Sequence, residues 1–254
     1  MRFRPCIDLH NGKVKQIVGS SLGGESLVEN FISNKAPSWY AKRFREDGLT
    51  GGHVIMLGTG NENAAMEALS AWSNGLQIGG GINPHNAEKY LNAGASHVIV
   101  TSYVFNDGEL DFAHLKEISN VVGKKRLVVD LSCAKKEGRY FVKTDRWTKW
   151  SDFEVCGDNI AILSEFCVEL LVHAVSVEGL QGGIDEELVQ LLGKIADCPI
   201  TYAGGIRDFN DINLIHLLSE GKLDFTVGSA LDIYGGDLSY DELIRFLSNN
   251  FEGR

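Results

Sequence analysis

Short apolar segments rich in Val and Ile alternate with segments of helical period along the whole 254-residue chain. The apolar segments, which predict strands, cover residues 4–8, 53–57, 76–78, 97–100, 126–131, 170–173, 200–202 and 225–227. The helical segments cover residues 38–47, 63–73, 84–93, 110–121, 152–167, 185–195, 208–220 and 240–249. Eight strand–helix units of about 32 residues suit βαβ packing. Because the strands are apolar throughout, we expect a parallel sheet that is buried on both faces.

The two halves of the chain also repeat the same order of features. Each half contains an apolar run that ends in aspartate, then a glycine turn, then a pair of small residues: Asp8, Gly80-Gly81 and Thr101-Ser102 in the first, and Asp130, Gly204-Gly205 and Gly228-Ser229 in the second. Eight units with a two-fold repeat fit a closed barrel better than an open sheet. We therefore predict a single (β/α)8 TIM-barrel domain over residues 1–254, with half-barrels at about 1–122 and 123–254.

Composition limits the partners of the chain. The net charge is −10 and the longest basic run is Lys124-Lys125-Arg126, which argues against a nucleic-acid or anionic-membrane partner. No stretch approaches the ~18 apolar residues of a membrane span. The five cysteines form no C-x-x-C pair, as is typical of reduced thiols, and residues 1–10 lack the apolar segment of a signal peptide. We therefore expect a cytoplasmic protein, apart from any transit peptide removed before residue 1.

The paired aspartates are the candidate catalytic residues. In a (β/α)8 barrel the reactive groups lie at the carboxyl ends of the strands. Asp8 and Asp130 end the first and fifth strands, which face each other across the barrel. Two facing carboxyl groups can act as an acid and a base, whereas an isolated aspartate at a strand end more often caps its loop. The paired placement favours catalysis.

The glycine turns are candidate phosphate sites. Gly80-Gly81 and Gly204-Gly205 each follow a strand and precede a helix, whose first amides lack partners and carry partial positive charge. Thr101-Ser102 and Gly228-Ser229 end the next strands and could complete each site with further donors. A single glycine turn is weak evidence, because tight turns need glycine anyway. The repeated arrangement predicts a small ligand with a phosphate at each end.

Neither a metal site nor a redox cofactor is expected. The seven histidines show no H-x-H or H-E-x-x-H spacing, and the chain lacks a G-x-G-x-x-G fingerprint. His173 ends a strand, where it either faces the ligand or serves as a hydrogen-bonded core residue. Trp147 lies in a polar loop, where it would stack on a planar heterocycle or pin the loop.

Two segments carry motifs of a known family. The first is Pro5-Cys6-Ile7-Asp8-Leu9-His10-Asn11-Gly12-Lys13-Val14-Lys15-Gln16-Ile17-Val18-Gly19. The second runs from Val172-His173-Ala174 through Glu178-Gly179-Leu180 to Gly183-Ile184-Asp185. With these segments the chain resembles the phosphoribosylformimino-5-aminoimidazole-carboxamide ribotide isomerases of histidine biosynthesis, in their eukaryotic-type branch. The common bacterial pattern has a threonine on strand six where this chain has Ala174. Strand two, ending Leu57-Gly58-Thr59, and strand four, ending Thr101-Ser102, also depart from that pattern.

The resemblance implies a reaction and roles for residues. Asp8 and Asp130 match the family's two catalytic aspartates, the glycine turns match its two phosphate sites, and Trp147 matches an aromatic residue that can stack on the substrate. The implied reaction is an Amadori rearrangement of a bis-phosphorylated aminoaldose to an aminoketose, without a cofactor, by a monomer. One carboxyl group assists ring opening to a Schiff base, and the other removes the proton from C2. We assign Asp8 as the base and Asp130 as the acid, although the sequence does not fix which is which.

Two alternatives remain at this point. The cyclase barrel of imidazole-glycerol-phosphate synthesis also has aspartates on strands one and five, but it would need a surface for a glutaminase partner. A barrel without catalytic activity that binds phosphorylated metabolites would share the same glycine turns.

Overall fold

The computed structural model describes residues 1–17 and 29–251, and it forms a parallel β-barrel surrounded by helices. The barrel strands are β1 (Cys6–His10), β2 (Gly52–Met56), β3 (Leu76–Gly79), β4 (Val98–Val100), β5 (Leu127–Lys136), β6 (Glu169–Ala174), β7 (Ile200–Ala203) and β8 (Leu223–Thr226). They lie side by side in chain order, and all neighbouring pairs are parallel.

The sheet closes through residues that precede β1. Phe3 forms a parallel bridge with Phe225 of β8. Arg4 N donates to Phe225 O at 2.8 Å, and Phe225 N donates to Arg2 O at 3.0 Å. This seam joins the first and last strands, so the predicted (β/α)8 barrel is confirmed.

One helix follows each barrel strand. The helices are α1 (Pro37–Glu46), α2 (Glu62–Ala71), α3 (Ala87–Asn92), α4 (Phe112–Val122), α5 (Gly157–Ser164), α6 (Glu186–Ile195), α7 (Phe209–Leu218) and α8 (Tyr240–Asn250). Asp208 caps α7 by accepting from Asn210 N at 2.9 Å and Asp211 N at 3.1 Å. Within residues 1–17 and 29–251, no helix has the length and apolar character needed to cross a membrane.

The predicted helix over residues 152–167 is wrong in its first part. Lys149–Glu154 is a strand that pairs with the strand Arg139–Thr144, and α5 begins only at Gly157. Ser151, Phe153 and Val155 are buried at every second position, which is the period of a strand. β5 continues to Lys136 and joins the same hairpin.

A second hairpin follows β1. The strand Lys13–Ile17 pairs antiparallel with β1 and then with the strand Glu29–Ile32. These two strands lie between β1 and α1 and are additional to the eight strand–helix units.

The interior of the barrel is layered because alternate residues of each strand point inward. At the amino ends of the strands, Arg4 Nη2 donates to Glu169 Oε2 at 2.7 Å, and Arg4 Nε lies 3.1 Å from Asp224 Oδ2. Above this charged floor is an apolar layer of Ile55, Ile99, Val128, Leu171 and Ala203. On β6, Glu169, Leu171 and His173 therefore belong to successive layers. The third layer, at the carboxyl ends of the strands, contains the candidate site.

Candidate active site

A cavity opens at the carboxyl ends of β1, β6, β7 and β8. The predicted residues that line it are Asp8, His173, Gly204, Gly205, Gly228 and Ser229. Residues that sequence reasoning did not assign to the site also line it, among them Gln16, Glu178, Gly179 and Gln181. The structure thus brings Asp8 and both turns of the second half, Gly204-Gly205 and Gly228-Ser229, into one cavity.

Asp130 lies beside this cavity and is joined to it by His173. His173 Nδ1 lies 2.9 Å from Asp130 Oδ1, and Thr101 Oγ1 donates to Asp130 Oδ2 at 3.1 Å. Burial disfavours the charged imidazole, but the Asp130 carboxylate outweighs it and raises the pKa of His173 to about 9. His173 is therefore protonated at neutral pH and donates to Asp130. The family's bacterial pattern has a threonine where this chain has the buried Ala174. In this chain the hydroxyl contact to Asp130 comes from Thr101, which follows β4.

Asp8 has different surroundings. Gln16 Nε2 donates to Asp8 Oδ2 at 3.1 Å. Burial raises the pKa of Asp8 to about 7, and the nearby Glu178 carboxyl adds to the increase, whereas His173 and the Gln16 amide oppose it. A carboxyl group with this pKa exchanges a proton readily near neutral pH, as an acid–base catalyst must.

Glu178 is a third carboxyl group in the site. Its Oε2 is buried and has no hydrogen-bond partner among the described residues. This oxygen lies 3.1 Å from the point where a Cβ on Gly204 would be. Burial raises the pKa of Glu178, and the Asp130 carboxylate adds to the increase, while His173 opposes it. The only sequence signal for Glu178 was its place in the motif that carries the family resemblance.

His53 lies at the inner end of the cavity and was not predicted as a site residue. It is 3% exposed. Burial lowers the pKa of His53 to about 3, helped by the positive charges of His173 and Arg4. His53 is therefore neutral, and the cation that faces Asp8 is His173.

The pair of turns from the second half, Gly204-Gly205 and Gly228-Ser229, is closely packed. Gly183 N donates to Gly205 O at 3.0 Å, and a Cβ on Gly205 would lie only 2.1 Å from Gly183 O. Gln181 Nε2 donates to Ser229 O at 2.7 Å. The loop after β6 therefore covers both turns of this pair.

The first glycine pair is arranged differently. Gly80 and Gly81 line a separate cavity, together with the loop after β2 and the start of α2, from Gly58 to Asn63. Thr101 turns to Asp130 instead, and neither Thr101 nor Ser102 is part of the described lining of this cavity. Asn61 braces the β2 loop, because its Nδ2 donates to Leu57 O and Gly58 O at 3.0 Å each.

Trp147 lies in the turn of the hairpin that follows β5. It connects the strands Arg139–Thr144 and Lys149–Glu154, has a φ of +69°, and is part of the described lining of neither cavity. In the described part of the chain, no group of three or more His, Cys, Asp or Glu residues is arranged to hold a metal ion.

Comparison with known proteins identifies relatives over almost the whole chain. A family profile described as "Histidine biosynthesis protein" matches residues 2–239. A chloroplastic 1-(5-phosphoribosyl)-5-((5-phosphoribosylamino)methylideneamino)imidazole-4-carboxamide isomerase of Medicago truncatula is 52% identical over 252 residues, covering 96% of this chain and 81% of the relative.

Fungal relatives carry the same isomerase name. The protein of Yarrowia lipolytica is 48% identical over 246 residues, covering 93% of both chains. That of Saccharomyces cerevisiae is 44% identical over 246 residues, covering 93% of this chain and 94% of the relative. The chain therefore belongs to the histidine biosynthesis protein family.

Proposed function

We propose that this chain is an aldose–ketose isomerase of histidine biosynthesis. It converts the bis-phosphorylated aminoaldose named in its relatives into the corresponding aminoketose by an Amadori rearrangement. The observation that carries this proposal is the cavity at the carboxyl end of the barrel. There a carboxyl group that titrates near neutrality, Asp8, lies close to a protonated His173 held by Asp130.

Asp8 acts as the base. Its pKa of about 7 leaves a large fraction ionised at neutral pH, and the carboxylate remains basic enough to accept a proton. After the ribose ring has opened to a Schiff base, Asp8 removes the proton from C2. The electron pair moves into the imine to give an enolamine, which tautomerises to the ketose.

Asp130 and His173 act together as the acid. Both oxygens of Asp130 accept hydrogen bonds, from Thr101 and from His173, so the transferable proton is on the imidazole. His173 donates it to the ring oxygen while the C1–O bond breaks, and the Asp130 carboxylate stabilises the imidazolium beforehand. Glu178 is a second candidate acid, because its raised pKa favours a protonated carboxyl group in the same cavity.

The two glycine regions hold the two phosphates. Gly179, Gly204-Gly205 and Gly228-Ser229 surround one end of the ligand, and Gly80-Gly81 with the β2 loop surrounds the other. Backbone amides can approach a phosphate closely at these glycines. In this proposal Trp147 stacks on the imidazole when the hairpin approaches the ligand.

The proposal also covers the state of the protein in the cell. The chain acts as a cytoplasmic monomer with a small-molecule substrate, uses no nucleic-acid partner, and needs no cofactor. All five cysteines are free thiols, which suits a reducing compartment. Size-exclusion chromatography with light scattering tests the monomer.

A turnover assay tests the function. The purified protein is incubated with the aminoaldose, with and without exhaustive chelation, and products are separated by chromatography. We expect the aminoketose in both samples, and far less from an Asp8→Asn variant. Binding of the substrate without conversion would instead support the barrel without catalytic activity. A parallel sample contains the aminoketose and ammonia, and formation of a new imidazole ring there would support the cyclase.

A further inference from the structure

Gln16 is a buried polar residue on the strand Lys13–Ile17, which folds back along β1. Its side chain is almost completely buried, and its Nε2 donates to Asp8 Oδ2 at 3.1 Å. Burying an amide costs free energy unless its polar atoms have partners. Asp8 is thus the acceptor that makes a glutamine tolerable at this position.

The oxygen end of the Gln16 amide is wedged against the loop after β8. A Cβ on Gly228 would lie 2.5 Å from Gln16 Oε1 and 3.9 Å from Cys6 Sγ. A side chain at this position would therefore displace the end of the Gln16 amide. With Oε1 against Gly228, the amino group of the amide faces Asp8.

The hairpin that carries Gln16 is fixed at its turn and along its outer edge. Gly12 N donates to Asn61 Oδ1 at 2.9 Å, and Asn61 also braces the β2 loop. The backbone of Gln16 pairs with Phe31 of the strand Glu29–Ile32. Gln16 therefore reaches Asp8 from a strand whose position is set on both sides.

We infer that Gln16 is a positioning residue for Asp8, whose amide holds one carboxylate oxygen and leaves the other directed at the substrate. This inference rests on the proposed function, because it assigns Asp8 the part of the base. A neutral amide orients the carboxylate without adding positive charge. Lysine or arginine at this position would stabilise the carboxylate strongly and make it a weaker base.

Other groups also act on Asp8 and must be held constant in a test. Glu178, from the loop after β6, raises the pKa of Asp8, and His173 of β6 lowers it. Cys6 of β1 and Tyr234, which follows β8, also interact electrostatically with Asp8. Replacing Gln16 leaves these four side chains in place.

The first test compares the pH dependence of kcat/KM in Gln16→Leu, Gln16→Lys and the wild type. Gln190→Leu is the matched control, because Gln190 is exposed on α6. We expect Gln16→Leu to lower kcat about tenfold at neutral pH and to move the acid limb upward by roughly half a unit or more. Gln16→Lys should move the same limb downward, and the control should match the wild type. An acid limb that stays in place while KM rises would overturn the inference in favour of substrate binding.

The second test does not depend on turnover. Carbon-13 NMR follows the Asp8 carboxyl, assigned by its absence in Asp8→Asn, in the wild type and in the isosteric variant Gln16→Glu. The added carboxyl removes a donor, so the pKa of Asp8 should rise. An unchanged Asp8 titration in an active protein would refute the inference alone. If Gln16→Glu alters the Asp8 titration but the wild type forms no ketose, only the proposed function is refuted.

Discussion

Asp8 and Asp130 occupy corresponding positions on opposite strands, but their neighbours give them different chemistry. Asp130 is tied to a protonated His173 and to the Thr101 hydroxyl. Asp8 accepts a hydrogen bond from the Gln16 amide and lies near a third carboxyl group, Glu178. Both oxygens of Asp130 are engaged by donors, whereas Asp8 has one oxygen without a donor among the described residues and a pKa raised by burial, which makes it a good proton acceptor. This difference supports Asp8 as the base.

Replacing either aspartate with asparagine should leave a folded protein with little turnover. We expect Asp8→Asn and Asp130→Asn each to lower kcat by about 10²–10⁴-fold, the usual loss for a positioned acid or base. Steady-state kinetics and thermal melting measure the two effects. Asp158→Asn, at an exposed site on α5, is the control. More than about a tenth of wild-type kcat, a loss of less than ~1.4 kcal/mol, would remove that residue from the mechanism.

The pH profile should be bell-shaped. Asp8 must be ionised to accept a proton, so kcat/KM should fall as the pH drops below about 7. His173 must be protonated to donate one, so kcat/KM should also fall as the pH rises above about 9. Rates measured from pH 5 to 10 test both limbs. An alkaline limb well below pH 9 in the wild type would assign the acid to another group, with Glu178 the next candidate.

At the scale of elements, the strands were predictable and the connections between them were only partly so. All eight strands were found because a parallel strand buried on both faces leaves a continuous apolar run. This also placed Asp8 and His173 at the correct end of the barrel. Gln16 and Glu178 were missed as site residues because they lie on a returning hairpin and a loop. Their positions depend on tertiary contacts that no period in the sequence records.

Two helix boundaries were predicted wrongly, for different reasons. The helix predicted from Pro84 begins at Ala87, because Asn83 Oδ1 accepts from His85 N and Asn86 Oδ1 accepts from Asn83 N, which stabilises a turn instead. The segment before α5 is a strand because it pairs with Arg139–Thr144, which in turn pairs with the extended end of β5.

The two glycine turns should respond differently to the same substitution. A side chain on Gly81 would meet nothing within 4 Å, whereas one on Gly205 would overlap Gly183 O. Gly81→Asp should therefore fold and raise KM at least tenfold by placing a like charge at the proposed phosphate site. Gly205→Asp should instead destabilise the fold. Gly138→Asp is the matched control, because Gly138 has a similar positive φ, open space and a place outside both described cavity linings.

Calorimetry with inorganic phosphate shows whether the change at Gly81 acts on phosphate binding. Phosphate should bind the control variant Gly138→Asp as it binds the wild type. The Gly81→Asp variant should lose the phosphate that binds at Gly81. An unchanged KM for Gly81→Asp would mean that this turn holds no phosphate.

At the scale of the whole molecule, the charged floor supports the barrel from inside. Arg4 lies between Glu169 and Asp224 and is about 6% exposed. Arg4→Met should lower the free energy of unfolding by about 3–5 kcal/mol, because it leaves the buried Glu169 carboxylate without its cation. Arg2→Met is the control, since Arg2 contacts the same Asp224 but its side chain is 57% exposed, and its loss should cost less than about 1 kcal/mol. Urea denaturation measures both values. Equal losses would show that the floor contributes no more than a surface ion pair.

The seam between Phe3 and Phe225 has a consequence for synthesis on the ribosome. The pairing across it includes Arg2 and Asp224, which are 222 positions apart in the chain. While translation proceeds, one edge of β1 therefore has no partner, and the backbone groups of a hydrophobic strand are open to other nascent chains. Asp8 lies on that strand, so the base of the proposed reaction enters its buried setting only when β8 has emerged. Maturation of the catalytic cavity is in this way tied to the synthesis of the last barrel strand.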